Sequence, residues 1–491
     1  PWTDFEALLR RRGLPLYGLE SGLPLNEFDV IFITLPYEMT FTNVLNILDL
    51  SGIPLNWKDR TNGPLIIAGG PSAANPLPVA KFMDAIVIGD GEEVITEICD
   101  QLIAARKSGA GRSEIRKELG RLDGVWVPEF PGKVRRRVFK GFSASTPPLR
   151  MVIPNVQAIH NRAPLEIFRG CMKGCRFCNA GFYYRPKRER PVEDLISYAT
   201  RLLQSTGEES LGLLSLSTSD YCRLDDLILG LDKEKLYPEQ SISIPSMRMN
   251  DNTIALLDST PHIRKGGLTF APEAGTQRLR NVINKNVTEE DIISVMKATG
   301  GSDYRTVKLY FMMGLPFETD EDLYGIVDLV NRLEDIGRTT KPRKQISISL
   351  SGFVPKPFTP FQWAQQADIA ELKRKRLIVT RGLERNKSRI SWREEYLCLL
   401  ESVLSRGDEK TGELIEAAFR NGCKFDGWHE HFSREKWEKA FADTGLQASE
   451  YLRSRPVSES LPWDFIDFQV PRAYLEKEYE LAALAANGGQ S

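Results

Sequence analysis

Three of the seven cysteines in this 491-residue chain crowd into one loop as Cys171-x3-Cys175-x2-Cys178. Thiolates are soft ligands, and three of them on a short glycine-containing loop can converge on one inorganic centre. The chemistry open to them is an iron–sulfur cluster or zinc. A structural zinc site is closed by four ligands, usually as two paired halves, and no second Cys or His pair lies nearby in the sequence. Three thiolates would instead leave one iron of a cubane open to coordinate something else. A structural zinc site and chance clustering are the alternatives. Cys99, Cys222, Cys398 and Cys423 stand alone and read as small buried hydrophobes, Cys222 beside Asp220 being the one thiol near the site. An odd count without a secretory opening argues against a disulfide framework.

The elements that must position this loop begin at Leu165. From there a β-then-α pattern repeats six times, with strands at 165–169, 210–218, 241–249, 266–271, 305–313 and 345–351. Helical periodicity lies between them, as in Val192 to Gln204, Glu289 to Ala298 and Asp320 to Asp335. Right-handed crossovers turn such a repeat into an open, partial (β/α)6 barrel of the TIM type, whose active site lies at the C-terminal ends of the strands. The cysteine loop follows the first strand, which is such an end. Other ends carry polar groups: Ser219 and Asp220 after the second strand, Arg248 on the third, Glu273 and Arg278 after the fourth. Arg248 could pair a carboxylate bidentately, or it could form a structural ion pair with Glu273. The fifth strand ends in Met312-Met313-Gly314-Leu315-Pro316, where the methionines could equally be core filler.

Ahead of the barrel, Phe28 to Leu35, Pro64 to Ala68 and Ala85 to Ile88 are apolar strands alternating with helical stretches. This predicts a doubly wound parallel sheet in residues 1–110. Gly69-Gly70 and Gly89-Asp90-Gly91 fall at its ligand-bearing edge, or only make tight turns. Residues 111–160 read as a connector with a β-hairpin around Pro131-Gly132. Its basic strip, Lys133, Arg135, Arg136, Arg137 and Lys140, reads as a solvated face, with nucleic-acid contact the alternative. Residues 161–365 hold the barrel, and 366–491 form a helical C-terminal region. His429 and His431, two apart, read as packing or substrate contacts and not as a metal pair.

Lys plus Arg total 65 against 66 for Asp plus Glu, a net charge of −1 that argues against attraction to phosphate or membrane as the governing property. Hydrophobic residues at 41% and charged residues at 27% exclude wholesale disorder. No apolar run approaches the roughly 18 residues of a bilayer span. The expectation is a cytoplasmic protein of about three domains.

With Phe177 before its last cysteine, the Cys-x3-Cys-x2-Cys segment resembles the hallmark of the radical SAM superfamily, over roughly residues 160 to 365. The resemblance implies that Cys171, Cys175 and Cys178 hold a [4Fe–4S] cluster whose open iron chelates S-adenosylmethionine (SAM). Reductive cleavage would then yield methionine and a 5′-deoxyadenosyl radical that abstracts hydrogen from substrate, with an external one-electron donor. It further implies SAM contacts from Phe177, Ser219, Asp220, Arg248, Glu273, Arg278, Gly314 and Pro316, although the usual Gly-Gly-Glu-like segment lacks its glycines here. The first domain is similar to a cobalamin-binding domain, with Gly69, Gly70, Gly89 and Gly91 at its turns. Its first strand is expected to precede Pro1, and no histidine before His160 could supply an axial imidazole.

Ala271 to Lys285, Ser405 to Asp408, Lys424 to Phe432 and Leu461 to Asp467 resemble a bacterial group of uncharacterised radical SAM proteins. Members are encoded beside, or fused to, a small radical-SAM-linked protein, which implies that partner. The alternative function is RNA modification, as a tRNA methylthiotransferase-like or methyltransferase enzyme. It is motivated by the basic segments Arg185 to Arg190 and Lys373 to Arg376. The remaining class is a non-catalytic iron–sulfur electron carrier or scaffold, which has no need of six strands with polar ends.

Overall fold

Apolar runs form the first sheet, the second and third strands buried on both faces and the first a half-exposed edge. In the computed structural model, which describes residues 2–154, 161–235, 240–244, 247–249, 253–254, 268–301, 304–386 and 388–488, Val30–Thr34, Leu65–Gly69 and Ala85–Val87 lie parallel in that order. Val125–Trp126 adds an antiparallel edge. Leu65, Ile67, Ala85 and Val87 pack with Val94 and Ile98 of the following helix, Val94–Ser108.

The chain divides into two compact units, each assembled from separate stretches. One gathers Pro1–Phe139, Val354–Gln366 and Tyr396–Leu475, and the other Lys140–Phe353, Ala367–Glu395 and Glu476–Ser491. The helical C-terminal region expected as one piece is therefore shared out. Helix Ile369–Gly382 packs on the barrel, while Lys410–Arg420 and Arg434–Thr444 belong to the first unit. There the Asn75 side-chain amide donates to the carbonyls of Ser405 and Gly407 at 3.0 and 2.7 Å.

The hairpin expected around Pro131-Gly132 does not form. Val125–Trp126 takes the free edge of Ala85–Val87, and Val134–Arg135 pairs instead with Ile466–Asp467, parallel. Three cations of the basic strip find partners in the chain, while Lys133 and Lys140 stay exposed. Arg135 lies 3.5 Å from Asp467, Arg136 stacks on the Phe468 ring, and Arg137 pairs with Glu93 and Glu97.

In the second unit, Ala163–Glu166, Ser210–Leu214 and Ser241–Ser243 form one parallel sheet, the first three barrel strands. Leu268–Glu273, Thr306–Met313 and Gln345–Gly352 form a second parallel sheet, which an unexpected seventh strand, Arg389–Trp392, extends. Most of the chain joining the third and fourth strands, with Ser246, lies outside the described residues. Both sheets feed one hydrophobic core together with helices Val192–Thr206, Leu224–Lys233, Glu289–Ala298 and Asp320–Thr339. Capping boxes at Thr288/Asp291 and Thr319/Asp322 fix where the last two of those helices start. The seventh strand escaped the sequence reading because it is four residues long and exposes Arg389, Ser391 and Trp392, leaving no apolar run.

Candidate functional site

Gly170 opens the cysteine loop at a φ of 94°, and a Cβ there would lie 2.6 and 2.7 Å from the carbonyl oxygens of Pro186 and Tyr184. Only glycine lets the strand end pass this close to its neighbour. Buried Arg176 then anchors the loop: its guanidinium donates to the carbonyls of Asn281 and Val282 and pairs with Glu478 at 3.0 Å. The Asn284 side-chain amide donates to the Gly174 carbonyl at 3.0 Å. Arg176 and Asn284 were missed as positioning residues, although both lie inside segments singled out for other reasons.

Burial pushes the Cys178 thiol up to about 11 and raises Cys175 as well, against the lowering effect of the Lys285 cation on both and of Arg248 on Cys175. Such thiols do not give up protons to water but do so to a metal, and Cys178 Sγ also accepts the Gly181 N–H at 3.3 Å. Among the described residues, no three His, Cys, Asp or Glu side chains converge on a single ion. A cubane gives each of three thiolates its own iron and leaves a fourth iron open, whereas a structural zinc site is closed by four ligands.

Beside the loop, Ser219 Oγ accepts the backbone N–H of Arg248 at 3.0 Å. Asp220 lies 3.1 Å from Lys173, and its other oxygen is 4.0 Å from Arg248. Arg248 Nη2, Asp220 Oδ2 and Ser217 Oγ are buried without a hydrogen-bond partner. Each such orphan costs about 1–3 kcal/mol until something fills it. An anion-binding guanidinium next to a cation-binding carboxylate can take a zwitterion.

The Arg248–Glu273 ion pair does not form. Glu273, at a left-handed φ of 69°, lies 3.4 Å from Lys285, and burial pushes its carboxyl up. Arg278 turns away from the strand ends to pair with the buried carboxylate of Asp322 and to donate to the Phe317 carbonyl, a helix-start role. Gly314 donates its N–H to Glu318 at 2.7 Å, and its left-handed φ of 74°, with Leu372 pressed close, favours glycine there. Pro316 and Phe177 are half-buried, and Met313 is core filler while Met312 lies on the opposite face of its strand.

In the first unit, a Cβ on Gly70 would meet the Leu35 carbonyl oxygen at 2.9 Å, and one on Gly89 would meet that of Arg137 at 2.1 Å. The Asp90 carboxylate accepts the Phe139 N–H at 2.8 Å, so the chain itself covers this turn. Gly69 and Gly91 leave only ordinary contacts. Chain packing therefore accounts for the strained glycines without a ligand. Gly89→Ala is expected to cost about 2 kcal/mol in urea unfolding of the ligand-free protein, through backbone collision at φ 115°. An unchanged midpoint would contradict that packing argument.

The basic segment Arg185 to Arg190 is turned inward. Arg185 stacks on Phe182, Lys187 donates to the Asp220 carbonyl, and Arg190 lies over the Phe142 ring. In the second segment Arg374 pairs with Asp320, Lys375 with Glu318, and Arg376 with Glu395. His431 packs edge-on against Trp2.

Two sequence families match in order: residues 1–128 match "Radical SAM proteins, N-terminal", and 165–330 match "Radical SAM superfamily". An uncharacterized protein of Methanocaldococcus jannaschii is 29% identical over 408 residues, covering 82% of this chain and 83% of that one. The tRNA-2-methylthio-N(6)-dimethylallyladenosine synthase of Petrotoga mobilis is 24% identical over 291 residues, covering 56% of this chain. The chain spans 62% of that synthase's length. Among solved structures, the radical S-adenosylmethionine methyltransferase TsrM of Kitasatospora setae, with cobalamin and a [4Fe-4S] cluster bound, aligns with a TM-score of 0.52 at 12% identity. The alignment covers 99% of this chain and 92% of TsrM, a likeness of fold. No described helix is long and apolar enough to cross a membrane. A parallel barrel whose first strand delivers Cys-x3-Cys-x2-Cys, in a chain that both family descriptions match, belongs to the radical SAM superfamily, and the protein is an enzyme of the kind that uses a [4Fe–4S] cluster and SAM.

Proposed function

We propose that Asp220 and Arg248 bind the amino and carboxylate groups of SAM beside the cluster held by Cys171, Cys175 and Cys178. The observation that carries this reading is the group of orphaned buried atoms, Arg248 Nη2, Asp220 Oδ2 and Ser217 Oγ. The cluster, when bound, supplies the electron that splits SAM into methionine and the 5′-deoxyadenosyl radical, and it must be recharged by an external donor. The chain's own residues orient the sulfonium and exclude water. Glu273, neutralised by Lys285, is the proposed partner of the ribose hydroxyls, and Gly314 and Pro316 the floor under adenine. Arg278, committed to Asp322, is left out of the SAM site.

Arg248→Met is expected to weaken SAM binding about 10- to 100-fold, the worth of a charge-assisted contact. Calorimetry on anaerobically reconstituted protein with unchanged iron content measures it. Equal affinity in the variant would remove Arg248 from the site.

The substrate receives the radical inside the barrel. Likeness to a cobalamin-bound fold supports cobalamin as a second cofactor of the first unit, without a protein imidazole from residues 2–154 and without help from its glycine turns. Absorption spectra after anaerobic loading with hydroxocobalamin test that. An oxygen-sensitive cluster suits the cytoplasm, and the group resemblance supports a small radical-SAM-linked partner. RNA as substrate draws support from the synthase similarity, but of the basic segments that motivated it most cations are taken by acids, carbonyls and rings of the chain, Lys373 staying exposed. A gel shift with total tRNA at low salt decides it.

A further inference from the structure

The fifth and sixth barrel strands alternate strictly. Val307, Leu309 and Phe311, with Ile346, Ile348 and Leu350, are buried against the helices. The residues between them therefore face the barrel interior. Parallel register sets Thr269, Lys308, Ser347 and Arg389 side by side in one row across four strands. Tyr310, Ser349 and Ser391 form the next row towards the cluster end. A closed barrel fills this space with layers of branched aliphatic side chains. Here the face consists of hydroxyls and cations, and Tyr310 keeps 37% of its surface exposed.

Lys308 Nζ lies 4.8 Å from the Tyr310 ring centroid, which steadies the ammonium without neutralising it. Neither Lys308 nor Arg389 has an acidic partner among the described residues. The acids at the strand ends have cations of their own: Glu166 pairs with Arg169, Asp220 with Lys173 and Glu273 with Lys285. Lys308 and Arg389 are separated by two strand spacings, about 10 Å, with Ser347 between them. Two long side chains on one face at that spacing can close on a single anion, and the hydroxyls can donate to its remaining oxygens.

We propose that this inner face recognises a carboxylate or phosphate group on a small-molecule substrate, with Lys308 and Arg389 as its two cationic contacts. The proposal rests on the radical SAM reading, which places the substrate inside the barrel. Charge complementarity selects the occupant, because the two rows offer positive charge and donors and no described acid.

The test is protection of Lys308 in the reconstituted holoenzyme with SAM bound. Acetylation by a water-soluble N-hydroxysuccinimide ester is mapped by mass spectrometry, with exposed Lys373 as internal reference. Sodium phosphate and sodium succinate are compared with chloride at equal ionic strength. An anion at about ten times its Kd should slow Lys308 labelling about tenfold relative to Lys373. The more protective anion names the substrate's group, and Arg389→Gln should remove most of the protection. Equal Lys308 labelling in all three salts overturns the proposal, as does protection that survives Arg389→Gln in full. Labelling needs no turnover, so 5′-deoxyadenosine formation by the wild type, scored separately, shows whether the underlying enzymatic reading has failed instead.

Discussion

Cys178→Ala is expected to abolish 5′-deoxyadenosine formation, from a measurable yield with SAM and reductant to none detectable by mass spectrometry. The cofactor carries the difficult chemistry, so losing one of three ligands removes the reaction and not merely a fraction of its rate. Iron content and the brown cluster absorption should fall with it. Cys222→Ala is the contrasting variant. Cys222 is exposed, lies outside the cysteine loop and spends its side chain on a hydrogen bond to Glu189, so it is not placed to be a ligand. That variant should keep its iron and its product. A Cys178→Ala protein that still assembled a SAM-cleaving cluster would overturn the assignment of the loop.

The parts of this molecule that were legible in sequence are those set by local spacing. The x3 and x2 intervals of the cysteines point to soft-metal chemistry, which the family resemblance narrows to a cluster, and the apolar runs at Val307, Leu309 and Phe311 mark a strand with helices on one side. What escaped depends on partners far along the chain. Val134–Arg135 looked like half of a hairpin because Pro131-Gly132 is a turn signal, yet its partner lies at Ile466–Asp467. Arg278 carried the right charge in the right segment, but the buried carboxylate of Asp322, which also caps a helix, claims it. The same blindness affected the runs of basic residues. A string such as Arg-Pro-Lys-Arg-Glu-Arg reads as a surface for phosphate until the carbonyls and aromatic faces that occupy it are known. Asp220 and Arg248 are the converse, since the sequence singled out both and each keeps one buried polar atom, Oδ2 and Nη2, without a hydrogen-bond partner, which is what supports the proposed role.

The largest stability effect is expected at Lys356, within the first unit. Its ammonium lies 2.8 Å from both oxygens of Glu38 and 2.8 Å from Glu401, with all three side chains removed from water. Two carboxylates thus share one buried cation. Burial, with Glu401 adding to it and Lys356 offsetting it, raises the Glu38 carboxyl above its ordinary value. Although burial opposes it, the two carboxylates raise Lys356, so it stays charged. Lys356→Met leaves two uncompensated buried carboxylates and should cost about 3–5 kcal/mol. For a unit of this size that is a fall in Tm of roughly 10 °C. The pH dependence separates charge from packing. A carboxyl raised in the folded state binds its proton more tightly there than when unfolded. Its contribution is therefore full below the ordinary carboxylate range and declines as pH rises through the folded value. The Lys356 contribution has the same sign, also being raised in the folded state, but it is full below the ordinary lysine value and is lost only as pH rises beyond it, outside this range. The Lys356→Met deficit should consequently be much smaller at about pH 5 than at about pH 8, because protonation neutralises the stranded carboxylates. Glu38→Gln, which removes the surplus charge and keeps an acceptor for Lys356, should flatten the decline seen in the wild type. Thermal unfolding at the two pH values measures all three proteins. A Lys356→Met deficit of equal size at both would mean that lost packing, not stranded charge, sets the cost.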